Sequence, residues 1–183
     1  MERLAAGRSV LNAFSFSGGF SNYAARGGAQ ATLDLDISGH ALASSKRNFE
    51  LNKNVAAIAA CRKEWMKVDV FNWLAANHAH RFGMVILDPP SLAKRESDKS
   101  SAISAYTQLA AMGIRHVTSG GILVTSSCSA HVTAAEFFAA VRQAAAKSRR
   151  RFEEIETTRH APDHPADFKE AEYLKTIYLR LNK

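Results

Sequence analysis

Two short stretches carry residue types suited to chemistry: "ILDPPS" at 86–91 and "VTSSCSAH" at 124–131. Each contains the end of an apolar run, and ligands in open α/β sheets bind outside the carboxyl ends of strands. Asp88 would close one strand, with the stiff Pro89–Pro90 pair able to hold a flat ring in a reactive position. Cys128 would follow another. If those strands are neighbours, a carboxyl and a thiol flank one crevice, a pairing suited to covalent catalysis. On a cytosine ring, a thiolate adding at C6 makes C5 enamine-like, and an acid bonded to N3 stabilises the adduct. Two ordinary readings compete: Pro–Pro also simply terminates strands, and a lone cysteine is often a small buried residue. A free thiol is mostly protonated at neutral pH, so a nucleophile here needs activation by its surroundings. Cys61, in "AACRKEW" ahead of a strand, reads as structural.

A cytosine activated in this way needs a methyl donor, and the first third of the chain suggests one. "FSFSGGFS" (14–21) joins a strand to a helix, where glycines let backbone approach a ligand and the helix start offers free N–H groups. It is not G-x-G-x-x-G, so the dinucleotide fingerprint is absent. Asp36 ends the next strand and is placed to accept hydrogen bonds from a ribose diol. Asp69, read as closing a third strand in "VDVF", could meet an adenine edge beside Phe71. Singly, each is equally an ordinary turn glycine or a helix-capping Asp. Their order and spacing favour an adenosine-containing ligand without a pyrophosphate cradle, which describes S-adenosyl-L-methionine.

The elements that must position these residues alternate along the chain. Strands are expected at 8–14, 30–36, 64–70, 82–88 and 122–127, with helices between them, which argues for βαβ units and a parallel sheet. Ser38 reads as the N-cap of a helix running to about Asn52, with Ala41, Leu42, Ser45 and Phe49 on its inner face. Residues 89–101 form a loop. A helix then runs to about Val117, and "SGG" is expected to turn the chain into the strand that leads to Cys128. Residues 133–148 make the clearest amphipathic helix, and the tail offers two alternating strands within 151–160 and 173–181.

At 183 residues, with 46% hydrophobic and 22% charged residues, the chain reads as one globular domain over 1–183. No apolar stretch approaches the ~20 residues that span a bilayer, so no membrane partner is expected. No signal peptide is legible in "MERLAAGRSVLNAF". Two cysteines are too few for a disulfide framework and lack the spacing of a zinc site; no metal is expected, and the cytoplasm fits best. A net charge of +7 points to a polyanionic partner, or else to solubility alone. A homodimer is left open.

The motifs "NAFSFSGGFSNYAARGGA", "DLDISGHALASSKRNFELN", "DVFNWL", "VILDPPSLAK", "GGILVTSSCS" and "DHP…YLK" occur in the order found in class I S-adenosylmethionine-dependent methyltransferases. From Val10 to Tyr178 the chain most resembles the large-subunit ribosomal RNA cytosine-5 methyltransferase (RlmI-like) group. The resemblance implies a doubly wound, Rossmann-like seven-stranded methyltransferase sheet, mostly parallel, with an antiparallel C-terminal hairpin strand. It implies that Phe14, Ser15, Ser17, Gly18, Gly19, Phe20, Asp36, Ile37, Asp69, Val70 and Asp88 hold S-adenosyl-L-methionine. Cys128 would be the nucleophile and Asp88 its catalytic partner. Pro89, Pro90, Ser91, Lys94, Arg95, His164 and Lys175 would meet the substrate, with Tyr173 near them, although a sheet-edge hairpin also explains the "HP…YLK" segment. The partner implied is RNA, ribosomal by this resemblance.

A sister group that methylates guanine resembles this chain through "DPP" but has "SNN" where Ser127–Cys128–Ser129 stands, so that triplet carries the cytosine assignment. Two departures stand out. The family's N-terminal RNA-binding (PUA) domain and connecting β-hairpin are expected to be absent from this chain, and Ser91 replaces a common Lys or Thr. Lys94, Arg95 and Lys99 are the expected phosphate contacts; Lys147 and Arg149–Arg151 either join them or complement a helix dipole. Two other functions stay open from sequence: a guanine or small-molecule methyltransferase without a covalent step, and a non-catalytic module that binds S-adenosylmethionine or RNA.

Overall fold

Short Val-, Ile- and Leu-rich runs pair only if both faces can be covered, and the intervening helical segments supply that cover. The computed structural model describes residues 1–161, 165–166 and 172–183. Its strands are β1 (Ser9–Ala13), β2 (Ala31–Asp36), β3 (Arg62–Lys67), β4 (Phe82–Leu87), β5 (Val117–Ser127), β6 (Phe152–Thr158) and β7 (Lys175–Leu181). They form one sheet in the order β3-β2-β1-β4-β5-β7-β6. Pairing is parallel from β3 through β5, and β7 inserts antiparallel between β5 and β6. The expected doubly wound sheet with an antiparallel C-terminal hairpin is therefore present.

The helices are α1 (Gly19–Arg26), α2 (Gly39–Leu51), α3 (Ala56–Ala60), α4 (Val70–Ala76), α5 (Lys99–Arg115) and α6 (Ala134–Lys147). Period-two alternation divides the core into two layers. Leu11, Leu35, Val85, Leu87 and Leu123 face α4, α5 and α6; Val10, Met84, Ile86 and Val124 face α1, Phe49 of α2 and Ile58 of α3. Met84 through Leu87 are wholly buried, so β4 is the central strand that its apolar run requires. As expected, Ser38 caps α2, its hydroxyl accepting from the Ala41 N–H at 3.2 Å, and Ala41, Leu42, Ser45 and Phe49 are the buried face. α6 starts on a reciprocal cap between Thr133 and Glu136.

Four boundaries differ from the sequence expectation, each for a local reason. β3 ends at Lys67, not at residue 70, because the Asp69 carboxylate accepts from the Asn72 N–H and starts α4 instead. α3 has no sequence signal, being five residues of mostly alanine without a side-chain cap. The loop after Pro90 gives way to α5 at Lys99, taking the last three residues of the expected loop, and α5 ends at Arg115. "SGG" lies within β5 rather than before it. Between the pairs Phe82–Val117 and Met84–Ile122 the strand is irregular, with Gly120 at φ 73° and its carbonyl accepting from Arg8.

Candidate active site

β1 is the strand at which chain order reverses, with β2 on one side and β4 on the other. The crevice at such a switch point is where open α/β sheets take ligands. The loops leaving β1, β2, β4 and β5 and the start of α4 meet there. They line a cavity of about 500 Å³ bounded by Phe14, Phe16, Asp36, Ile37, Asp69, Val70, Phe71, Asp88, Pro89, Pro90, Cys128 and Leu174. A second cavity of about 260 Å³ adjoins it through Phe14, Phe16 and Asp88, and is closed by Ser15, Ser17, Gly19, Phe20 and Tyr23.

The loop after β1 is held from below by a buried carboxylate. Asp34 accepts hydrogen bonds from Ser21 of α1 and, at 2.5 Å, from Ser45 of α2. Asn12 donates to Ser21 at 2.9 Å, and the Trp65 indole donates to Ser45 at 3.0 Å. Burial pushes the Asp34 carboxyl above its usual range, against the hydrogen bonds from Ser21, Ser45 and Asn12. Gly18 sits on this network at φ 71°, where a Cβ would fall 2.1 Å from Ser45 Oγ, so only glycine fits. Phe14 and Phe16 also adopt positive φ, at 62° and 47°, a strained conformation of the kind that concentrates at ligand sites. The edge of Phe14 meets Phe71 at 5.7 Å between ring centres, forming one cavity wall.

Asp36 is fixed by two backbone donors, the N–H of Phe16 at 2.9 Å and that of Ser38 at 2.8 Å. Its carboxylate keeps further acceptor capacity on the cavity side. Among the described residues, the buried hydroxyl of Ser15 has no hydrogen-bond partner, and a Cβ on Gly19 would meet nothing within 4 Å. The cradle is thus open, with an orphaned polar group in its wall.

Asp88 and Cys128 share the larger cavity because β4 and β5 pair directly, in the register Leu87–Thr125. Their loops are tied together by hydroxyl groups that sequence reading missed. Ser127 donates to the Tyr106 hydroxyl at 2.9 Å, Tyr106 meets Ser129 at 3.1 Å, and Ser129 meets Ser91 at 2.9 Å. Ser91 donates to the carbonyl of Ala93 at 3.0 Å, which fixes the direction of every proton: Ser127 to Tyr106 to Ser129 to Ser91. The Ala93 N–H also donates to Ser129, at 3.2 Å. Lys175, buried at the start of β7, donates to the Ser129 carbonyl.

Burial sets the electrostatics. It pushes the Asp88 carboxyl above its ordinary value. It also raises the Cys128 thiol, and the Asp88 charge adds to that; the thiol's own backbone N–H and Lys175 act in the opposite direction. Burial lowers Lys175 to about 8, partly countered by Cys128 and Glu136.

Not every expected residue reaches the cavities. Gly18 supports the loop from beneath, Ser91 turns into the hydroxyl chain, and Lys94 and Arg95 are exposed beyond Pro90. Lys99, expected to meet phosphate, is committed to Glu136 at 2.9 Å and Glu96 at 3.7 Å. Tyr173 packs edge-on against His160 at 4.9 Å, while its neighbour Leu174 lines the cavity. His164 lies outside the described residues.

A sequence model of the S-adenosylmethionine-dependent methyltransferases matches residues 1–180. The chain belongs to this family. It is 52% identical over 184 residues to a ribosomal RNA large subunit methyltransferase of Deinococcus radiodurans, covering 100% of this chain and 44% of that protein. It is 35% identical over 178 residues to ribosomal RNA large subunit methyltransferase I of Aliivibrio fischeri, covering 95% of this chain and 44% of the relative. The chain therefore spans less than half the length of these curated relatives. The solved structure of SMU.776 complexed with SAH superposes with a TM-score of 0.80 at 26% identity, over 96% of this chain and 46% of that one. The sheet is thus the Rossmann-like methyltransferase sheet and the cofactor is S-adenosylmethionine. The open Gly19 cradle, the orphaned Ser15 hydroxyl and the fixed Asp36 carboxylate fit that molecule.

Proposed function

We propose that this chain is the catalytic domain of an RNA methyltransferase that modifies C5 of a cytosine in large-subunit ribosomal RNA through a covalent adduct on Cys128. The observation that carries the reading is the single cavity shared by Asp88, Pro89, Pro90 and Cys128, continuous with the cofactor side at Phe14 and Asp36. The names of the two relatives support ribosomal RNA as the substrate.

Asp36 would hold the ribose of the cofactor, Ile37, Asp69, Val70 and Phe71 its adenine, and the Phe14–Phe20 loop its amino-acid end. Bound there, S-adenosylmethionine supplies an electrophilic methyl group. Asp88, whose carboxyl burial pushes above its ordinary value, donates a proton to N3 of the cytosine from its protonated form. The Cys128 thiolate adds its electron pair to C6, and the ring electrons shift to make C5 nucleophilic. Once C5 carries the methyl group, its proton leaves to water. The C5–C6 double bond re-forms, Cys128 departs as thiolate, and Asp88 recovers the N3 proton. Pro89 and Pro90 hold the ring flat against this pair. The reacting atoms of a cytosine stacked in a duplex lie out of reach of Cys128 and Asp88 at the floor between two strand ends, so the cytosine enters unpaired or flipped.

Replacing Cys128 tests the reading. Cys128→Ala is expected to abolish labelled methyl transfer to ribosomal RNA while S-adenosylmethionine binding, measured by calorimetry, stays as in the parent. Turnover retained in that variant would instead favour a non-covalent guanine or small-molecule methyltransferase using Asp88. Cofactor binding by the parent with no transfer to any RNA would favour a non-catalytic module.

A further inference from the structure

A cleft of about 630 Å³ lies away from the active site, between the C-terminal ends of α5 and α6 and the approach to β4. His78, Arg81, Arg115, Lys147 and Arg150 line it over an apolar floor that includes Ile114, and no carboxylate does. Strands β4 and β5 begin at this rim and end at Asp88 and Cys128, so the two sites are about one strand apart, roughly 20 Å.

The charge in this cleft is not neutralised by the protein. Among the described residues, Arg81, Arg115, Lys147 and Arg150 form no ion pair. On β6, which follows Arg150, Glu153 pairs with Arg180 and Glu154 with Arg142. Arg150 donates to five backbone carbonyls, those of Ile114, Val117, Thr118, Leu181 and Asn182, at 2.7–3.1 Å. Those bonds fix its position and leave its charge in place. Burial and the Arg81 charge together depress the Arg150 guanidinium, a sign that cations are crowded here. The helix dipoles of α5 and α6 offset about half a charge each, against four lining cations. An excess of positive charge remains, in a cleft whose volume of about 630 Å³ leaves room for a phosphate and part of its nucleoside.

We infer that this cleft is a second phosphate-binding site for the backbone of the RNA substrate, on the sheet rim opposite the methyl-transfer cavity. The inference rests on the proposed RNA substrate and assigns Arg81, Arg115 and Lys147 to phosphate contact, with Arg150 as their fixed anchor. It corrects the sequence reading of "KSRRR" as a uniform group, since Lys147 is open to a ligand and Arg150 is built into the fold.

The test is binding of a fluorescent single-stranded fragment of large-subunit ribosomal RNA, by anisotropy, between 0.05 and about 0.2 M salt, the range over which phosphate contacts change affinity most. The variants are the double substitutions Arg115→Ala with Lys147→Ala, and Arg115→Lys with Lys147→Arg. Both residues are exposed at helix ends, outside the catalytic cavity. Each lost phosphate contact removes about 0.7 from the salt slope of a single strand, so the alanine pair is expected to bind about 25-fold more weakly at 0.1 M salt. In methyl transfer, KM for RNA rises and kcat holds; the charge-preserving pair behaves as the parent. Unchanged affinity and slope in the alanine pair, with an active parent, overturns this site and leaves the proposed activity standing. A parent that neither binds nor methylates RNA overturns both. A deficit confined to binding of polyglutamate, with RNA affinity intact, assigns the cleft to an acidic protein surface and also overturns the inference.

Discussion

At the scale of single residues, the site poses a protonation problem. Burial raises both Asp88 and Cys128 above their ordinary values, which favours a protonated acid and works against a thiolate. The proposed reaction needs the carboxyl to donate and the thiol to attack. Because the thiol is raised, its thiolate fraction is small at neutral pH and grows as pH rises. The rate of methyl transfer at subsaturating RNA is therefore expected to climb from neutral toward alkaline pH. Lys175 is the cation that lowers Cys128, and it donates to the carbonyl of the adjacent Ser129. Lys175→Met removes that charge, so the rising limb of the pH–rate profile is expected to move to higher pH. Cofactor affinity should stay the same. A lysine that served only as packing would leave the limb where it was.

Elements set the distances between these groups. The hydroxyl chain from Ser127 through Tyr106 and Ser129 to Ser91 crosses from β5 to α5 to the loop after β4, and so fixes Cys128 relative to Asp88. Tyr106→Phe cuts it and leaves the buried Ser127 O–H without its acceptor, although its oxygen still accepts from the Ser129 N–H, at a cost of about 1–3 kcal/mol in denaturant unfolding. Loosening the two loops is expected to lower kcat by about tenfold to a hundredfold. α6 gives an independent stability test. Thr133→Ala removes its N-cap and should cost about 1 kcal/mol, or about 2–4 °C in melting temperature. Glu136 is held at about 2 by Lys99 first and then by the Thr133 N–H, with its hydroxyl adding to the effect. A depressed carboxylate stabilises the fold above its ordinary value near 4.5, and the contribution is lost as pH falls toward 2. Glu136→Gln is expected to flatten that part of the acid-unfolding curve.

These elements also show why the sequence was readable in some places and silent in others. Asp88 and Cys128 stand out because Pro–Pro and cysteine are uncommon types placed at strand ends. Tyr106 reads as one more core position on a helix, since periodicity marks burial and says nothing about a hydroxyl's partner. Asp34 is likewise hidden in the alternation of "ATLDLD"; only the folded contact with Ser21 and Ser45 reveals it. The misplaced end of β3 has the same origin. Strand propensity continues through Val70, but the Asp69 cap competes for the chain and wins.

For the molecule as a whole, charge and topology work at different distances. The parallel sheet brings four loops to one switch point, and a net charge of +7 favours the approach of the proposed polyanionic substrate to the molecule. Methyl transfer at low RNA concentration is expected to fall steeply as salt rises, while the rate at saturating RNA changes little. Lysines 94 and 99 illustrate how sequence position misleads about such charge. Both follow Pro90, yet Lys99 is spent on Glu136, and the most concentrated basic lining lies on the opposite rim. The order of six motifs made the sheet and cofactor legible from sequence, because that order reflects the chain's path through the sheet. The basic cleft was not, since its residues come from two separate helix ends and two loops.

The covalent role of Cys128 is tested most directly by incubating the protein and S-adenosylmethionine with ribosomal RNA containing 5-fluorocytidine at the target position. Fluorine cannot leave C5 as a proton does, so the adduct should stall after methylation. The expected result is a denaturation-resistant protein–RNA complex in which peptide mass spectrometry places the linkage on Cys128. Complete methylation of normal RNA with no trapped complex on the fluorinated substrate, or a linkage at another residue, would contradict it.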